Sequence, residues 1–191
     1  MILYIVGIGC VGKTTIGKML ADKIGFSFFD LDEEIQNYYN KTIERIQDEC
    51  FTMNDYRVKA SIVLDYLLSK NIDSVISGTP SGLKYSYLEV YKKHKKDKDL
   101  FSILVKDSFE NVLNRLTFYD KDSNPIIEFM DDSKKERYLK KIKGDCAFFK
   151  ESYKRADFEI DIKNIALNEI PIMIIYELQN KINCQFPTRA F

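Results

Sequence analysis

Two groups of residues in this 191-residue chain have the types and spacing for phosphate chemistry. The first is Gly7-Ile8-Gly9-Cys10-Val11-Gly12-Lys13-Thr14-Thr15, which contains the pattern G-x-x-x-x-G-K-T. At that spacing a loop wraps its backbone N–H groups around an anion, a lysine reaches the outer phosphates, and the following hydroxyl meets Mg²⁺. Gly7 and Gly12 allow backbone conformations and close approaches that a Cβ would block. Gly9, Cys10, Val11 and Thr15 complete the expected cradle for a nucleotide. The second group is Asp30 and Asp32 in FFDLDEE. Two residues apart on an extended backbone, they point the same way at the carboxyl edge, where α/β sheets bind ligands. One carboxylate could assist Mg²⁺ and the other could accept a hydroxyl proton. A plainer reading of Asp32 is a helix N-cap, followed by Glu33 and Glu34 at the positive helix end.

These residues need a frame, and the apolar pattern supplies one. Short runs at 2–6, 26–29, 74–77, 101–105 and 158–162 read as strands. The first and fourth are apolar at nearly every position, as strands buried on both faces are. Helical patterns lie between them at 13–24, about 32–39, 53–70, 108–118, 134–152 and 169–183. Ser133 to Glu136 has the form of a capping box, and Asn168 precedes a first turn containing Pro171. Strand–helix alternation predicts one α/β domain over 1–191, an open parallel sheet covered by helices on both faces. The polar stretch 119–132, with Pro125, interrupts the alternation and suits a lid that closes over substrate.

The opening GIGCVGKTTIGKMLADKIGFSFFDLDEEI resembles the shikimate kinases, small P-loop kinases that phosphorylate a hydroxyl of a cyclic polyol acid. The likeness continues more weakly to YKRADFEID near the C-terminus. It implies a P-loop NTPase fold, a doubly wound five-stranded sheet in the order 2-3-1-4-5, with ATP and Mg²⁺ as cofactors. It also implies that Lys13 and Thr14 bind phosphate and metal, that Asp30 assists the metal, and that Asp32 contacts the acceptor hydroxyl as base. Arg57 in NDYRVKA matches the arginine that holds the substrate carboxylate. Gly78 begins the loop that matches the family's glycine-rich substrate segment, and Arg115 falls where the family stacks an arginine on adenine.

The chain departs from that pattern on the acceptor side. Gly78-Thr79-Pro80 stands where the family has three glycines, and Pro80 offers no N–H. Asn124-Pro125-Ile126-Ile127 replaces the lid's Arg-Pro-Leu-Leu, and no arginine stands where the family has one shortly before the last strand. An unreplaced loss from a desolvated charge pair costs ~2–5 kcal/mol. Lys84, Lys121, Lys134 and Arg137 lie near the altered segments and could supply replacement charge. Three readings therefore stand: a shikimate-type kinase or one for another small hydroxyl acceptor, a nucleoside monophosphate kinase, and a nucleotide-binding regulatory protein without an acceptor site. The stretch 119–132 has no arginine, which weighs against the second.

Composition excludes other classes. Lys+Arg and Asp+Glu both number 29, so no net charge favours nucleic acid or an acidic membrane. YKKHKKDK, at 91–98, interleaves its lysines with an aspartate and reads as a solvated helix end. Cysteines 10, 50, 146 and 184 include no C-x-x-C pair, which favours reduced thiols in a cytoplasmic setting. His94 is the only histidine, which argues against a histidine metal site. No apolar span approaches membrane length. Tyr56, beside Arg57, could wall an acceptor ring, and the stretch 184–191 reads as a poorly ordered tail.

Overall fold

The computed structural model describes residues 1–120, 122 and 124–182. Strand β1 (Ile2–Val6) is buried along its whole length, as its unbroken apolar sequence requires. It pairs in parallel with β3 (Ser74–Ser77) on one side and β4 (Leu100–Lys106) on the other. Outside them lie β2 (Ser27–Asp30) and β7 (Phe158–Asp161). The order is β2-β3-β1-β4-β7, all parallel. Counting only the strands of this sheet, it is the expected 2-3-1-4-5.

Helix α1 (Lys13–Ile24) turns Ile16, Gly17, Leu20, Ala21 and Ile24 into the core. It ends at Gly25, whose positive φ of 74° suits a residue without a Cβ. Helix α2 (Leu31–Tyr39) follows β2 with no loop between them. Helix α4 (Met53–Ser69) carries a capping box of Thr52 and Asp55 and packs against α5 (Tyr85–Lys95).

Several local expectations need correction. The short α3 (Ile43–Asp48) and α5 were not read from the sequence. Six residues are too few to show a period. The buried face of α5 consists of Tyr87, Tyr91 and His94 rather than aliphatic residues, set among lysines. Helix α6 (Phe109–Asn114) stops earlier than expected. The Phe118–Tyr119 pair forms β5 against β6 (Pro125–Ile126), so the candidate lid contains a hairpin. Asp120 ties its turn by accepting from the backbone N–H groups of Asp122 and Asn124, each at 2.9 Å. Helix α7 (Asp132–Tyr153) is capped by Asp131, which accepts from the Lys134 N–H at 2.7 Å, and not by Ser133. Helix α8 (Ile170–Ile182) has Pro171 in its first turn.

His94, expected in a solvated run, is buried, with Nε2 2.6 Å from the Asp65 carboxylate of α4. Cys10, Cys50 and Cys146 are free thiols. Cys184, Lys121 and the stretch 184–191 lie outside the described residues. Among the described residues no helix is long and apolar enough to cross a membrane.

Candidate active site

The phosphate loop joins β1 to α1 over the carboxyl edge of the sheet. Its geometry explains two of its three glycines, Gly7 and Gly12. At Gly7, with φ 152°, a Cβ would stand 2.6 Å from the Val105 carbonyl oxygen of β4. Gly12 precedes α1 at φ 102°, leaving the first N–H groups of the helix without a side-chain cap and open to an anion. Cys10 also has positive φ, 58°. Lys13 folds back over the loop and donates to the carbonyls of Gly7 at 3.1 Å and Ile8 at 2.9 Å. Desolvation pulls its pKa below the ordinary lysine value, against the opposing pull of Asp32 and Asp30.

Asp30 has two tasks. One oxygen caps α2, accepting from the N–H groups of Asp32 at 3.0 Å and Glu33 at 3.4 Å. The other accepts from the Thr14 hydroxyl at 2.6 Å. The Thr14 oxygen also lies 3.5 Å from Ser77 Oγ. A hydroxyl and a carboxylate oxygen are thus held side by side at the foot of the phosphate loop. Such hard oxygen donors suit Mg²⁺, which binds through one or two protein oxygens and completes its shell with water and phosphate. Among the described residues there is no cluster of three or more His, Cys, Asp or Glu that would enclose a metal on its own.

Asp32 stands in the first turn of α2, not on β2, so the expected shared strand face is wrong. The cap role weighed for it belongs to Asp30. Asp32 remains in the same cleft because the helix starts without a loop and swings its second residue over the sheet edge. There its carboxyl pKa is pushed up to about 6. Desolvation by the cleft walls is the main cause, Asp30 and Glu44 add like-charge repulsion, and Lys13 opposes them. A carboxylate poised there is ionised at neutral pH yet more basic than an ordinary aspartate.

The cleft encloses about 690 Å³ and brings together Gly9, Cys10, Gly12, Lys13, Thr14, Thr15, Asp30, Asp32, Gly78 and Arg115. Gly7, Val11 and Arg57 do not line it. Gly7 shapes the loop from below, and Val11 is fully buried. Arg57 donates from Nε to Ser81 Oγ at 3.1 Å and lies 5.1 Å from the centre of the Tyr85 ring. Tyr56 is buried and is not among the residues that line this cleft. Arg115 is anchored by an ion pair with Asp107 and donates to the Cys10 carbonyl at 3.2 Å, at the rim of the phosphate loop.

The loop from Gly78 to Gly82 lies over Tyr4 of β1. A Cβ on Gly78 would meet the Tyr4 ring at 2.6 Å, and one on Gly82 would meet the Tyr4 hydroxyl at 2.7 Å. The Pro80 carbonyl accepts from Tyr153 of α7 at 3.1 Å, so α7 brings buried Tyr153 to this loop. Of the cations named as replacements, Lys84 is the one beside Arg57. Its ammonium lies 4.9 Å from the same Tyr85 ring and 3.5 Å from the Phe148 ring. Lys134 pairs with Glu128 at 2.9 Å, and Arg137 lies against Tyr138. The cleft also takes in Pro80, and with it Glu44, Ser77 and Thr117, which sequence reasoning did not single out. Ser77, the last residue of β3, was legible in principle, because it precedes Gly78 at the same sheet edge.

Comparison with known proteins agrees with this architecture. The shikimate kinase family model matches residues 9–169. The shikimate kinase of Persephonella marina is 28% identical over 180 residues, covering 94% of this chain and 98% of that protein. That of Flavobacterium psychrophilum is 28% identical over 149 residues, covering 77% and 83%. Among solved structures, the Acinetobacter baumannii shikimate kinase in complex with shikimate superposes with a TM-score of 0.74. It is 23% identical and covers 95% of this chain and 94% of that one, a likeness of fold.

Proposed function

The chain belongs to the shikimate kinase family, and from that premise we propose that it transfers the γ-phosphoryl group of MgATP to a ring hydroxyl of shikimate. The observation that carries the proposal is the convergence of Lys13, the Thr14–Asp30 pair and Asp32 in one cleft at the sheet's carboxyl edge. In this reading the loop N–H groups and the start of α1 hold the phosphates, and Lys13 leaves its loop carbonyls to meet developing negative charge. Thr14 and Asp30 would hold Mg²⁺, which when bound neutralises phosphate charge. Asp32 accepts the proton of the attacking hydroxyl as the new O–P bond forms and the bond to ADP breaks. Arg115 packs against adenine at the rim. Arg45 of α3 pairs with Asp122 of the hairpin at 2.6 Å, which supports a role for 119–132 as a lid over this cleft.

For the acceptor carboxylate we assign Arg57, with Lys84 as second cation. The two flank one ring, that of Tyr85, which has a φ of 54°, rare for a side chain of its size. Arg57 gives up a single hydrogen bond to Ser81 when it turns to a substrate, a cost of about 1 kcal/mol. Substituting Arg57→Ala removes a fork-shaped partner and is expected to raise the KM for shikimate by roughly thirtyfold or more. Lys84→Ala removes a half-buried point charge and should raise it by about two- to fivefold, with the KM for ATP unchanged. Steady-state kinetics in both substrates measures this. An unchanged shikimate KM in the Lys84 variant would remove that residue from the acceptor site.

A further inference from the structure

A second cavity of about 540 Å³ lies outside the cleft, between α7 and the sheet face formed by β4 and β7. Its volume falls within the range of small-molecule sites. It exists because α7 presents small residues to the sheet: Cys146 and Ala147 stand where larger side chains would fill the gap. The floor is apolar, with Ile8, Leu104 and the Phe109 ring among its walls. The rim is basic. Lys143, Ala147, Lys150 and Lys154 recur at four-, three- and four-residue steps and so form one stripe along α7. Lys106 completes the set.

Charge accounting decides what fits. The two carboxylates on the rim are already engaged, Glu159 with Lys106 and Asp107 with Arg115. Lys154 pairs with Glu151 at 2.7 Å. Lys143 and Lys150 have no carboxylate partner among the described residues, and Lys143 leans toward the Phe109 ring at 5.8 Å. An apolar floor beneath two uncommitted ammonium groups complements a ligand with a flat apolar body and one anionic group.

We propose that this cavity is a binding site for small aromatic anions, such as aromatic carboxylates or sulfonates, separate from the nucleotide cleft. Its walls touch the phosphate loop. Ile8 accepts a hydrogen bond from Lys13 through its carbonyl, and Asp107 holds Arg115, which in turn donates to Cys10. Occupancy therefore alters nucleotide affinity, and the nucleotide alters ligand affinity by the same factor.

Anilinonaphthalene sulfonate, a fluorescent aromatic anion, is the probe. The folded full-length protein is titrated with it in saturating MgATP, which keeps the dye out of the nucleotide cleft. One dye should bind per chain. The charge-reversed double variant Lys143→Glu/Lys150→Glu should bind it roughly tenfold more weakly. The groove-filling variant Ala147→Phe should not bind it, and uncharged phenylnaphthylamine should bind wild type more weakly than the sulfonate does. All three positions are exposed on α7, and unchanged thermal melts and basal ATP turnover confirm that the variants are folded. Equal dye binding by wild type and both variants would overturn the proposal, as would competitive displacement of the dye by MgATP. An ATP affinity insensitive to bound dye would overturn the coupling.

Discussion

Asp30 carries a structural and a chemical task on separate oxygens, and two substitutions separate them. Asp30→Ala removes both. The lost α2 cap costs about 1 kcal/mol, and the lost bond from the Thr14 hydroxyl to a charged, buried acceptor about 1.5 kcal/mol more. For a chain of this size each kcal/mol lowers Tm by roughly 2–4 °C, so Asp30→Ala should melt roughly 5–10 °C below wild type. Asp30→Asn keeps a side-chain oxygen for the N–H groups of Asp32 and Glu33, and the Thr14 hydroxyl can accept from the new amide. Only the charge at the helix N-terminus is lost, about 0.3–1 kcal/mol, or a few degrees at most. The chemistry responds differently, because an amide is a poor Mg²⁺ partner. Turnover by Asp30→Asn should fall roughly a hundredfold and require far more Mg²⁺. Thermal melts paired with Mg²⁺ titrations of ATP turnover read both effects. Two results would refute the reasoning: Asp30→Asn melting as low as Asp30→Ala, or Asp30→Asn retaining the wild-type Mg²⁺ dependence.

Three further outcomes follow from the same geometry. Carbon NMR of labelled aspartate in the nucleotide-free protein should show Asp32 titrating with a midpoint of about 6, assigned by its loss in Asp32→Asn; a midpoint near 4 would contradict the cleft's desolvation. Because the folded-state pKa is raised, ionised Asp32 opposes folding, and its penalty grows as pH rises from about 4 through about 6. Asp32→Asn should therefore raise Tm at pH 7 relative to wild type and leave it nearly unchanged at pH 4, measured by calorimetry. Gly7→Ala should lower Tm by several degrees, since its Cβ meets the Val105 carbonyl in a backbone conformation disfavoured for alanine, whereas Gly9→Ala meets nothing within 4 Å and should melt like wild type.

The parts of the site legible in the sequence are those built from neighbouring residues. The loop from Gly7 to Thr15 lies between a buried strand and an amphipathic helix, and both elements show in local apolar periodicity. Asp30 and Asp32 were found by type and spacing, and resemblance divided metal and acceptor hydroxyl between them, but the helix cap was expected on the wrong one of the two. Its place depends on α2 beginning with no intervening residue, which gives the cap to Asp30 and lifts Asp32 into the cleft. Lys84 is harder still to read, because its position depends on Tyr85, Phe148 and Phe149, and the last two arrive from α7 more than sixty residues away. Arg57 was recognisable as a candidate only through resemblance, and its bond to Ser81 depends on how α4 meets the loop after β3. Long-range placement of long side chains is what a local pattern does not contain.

The measurement closest to the centre of the functional proposal is ADP formation by the purified protein in MgATP, with and without shikimate, beside a Lys13→Ala control. The expected result is shikimate-stimulated turnover, one phosphorylated acceptor per ADP, that disappears in the control and on removal of Mg²⁺. Nucleotide binding without any stimulation by shikimate, at saturating MgATP, would contradict it.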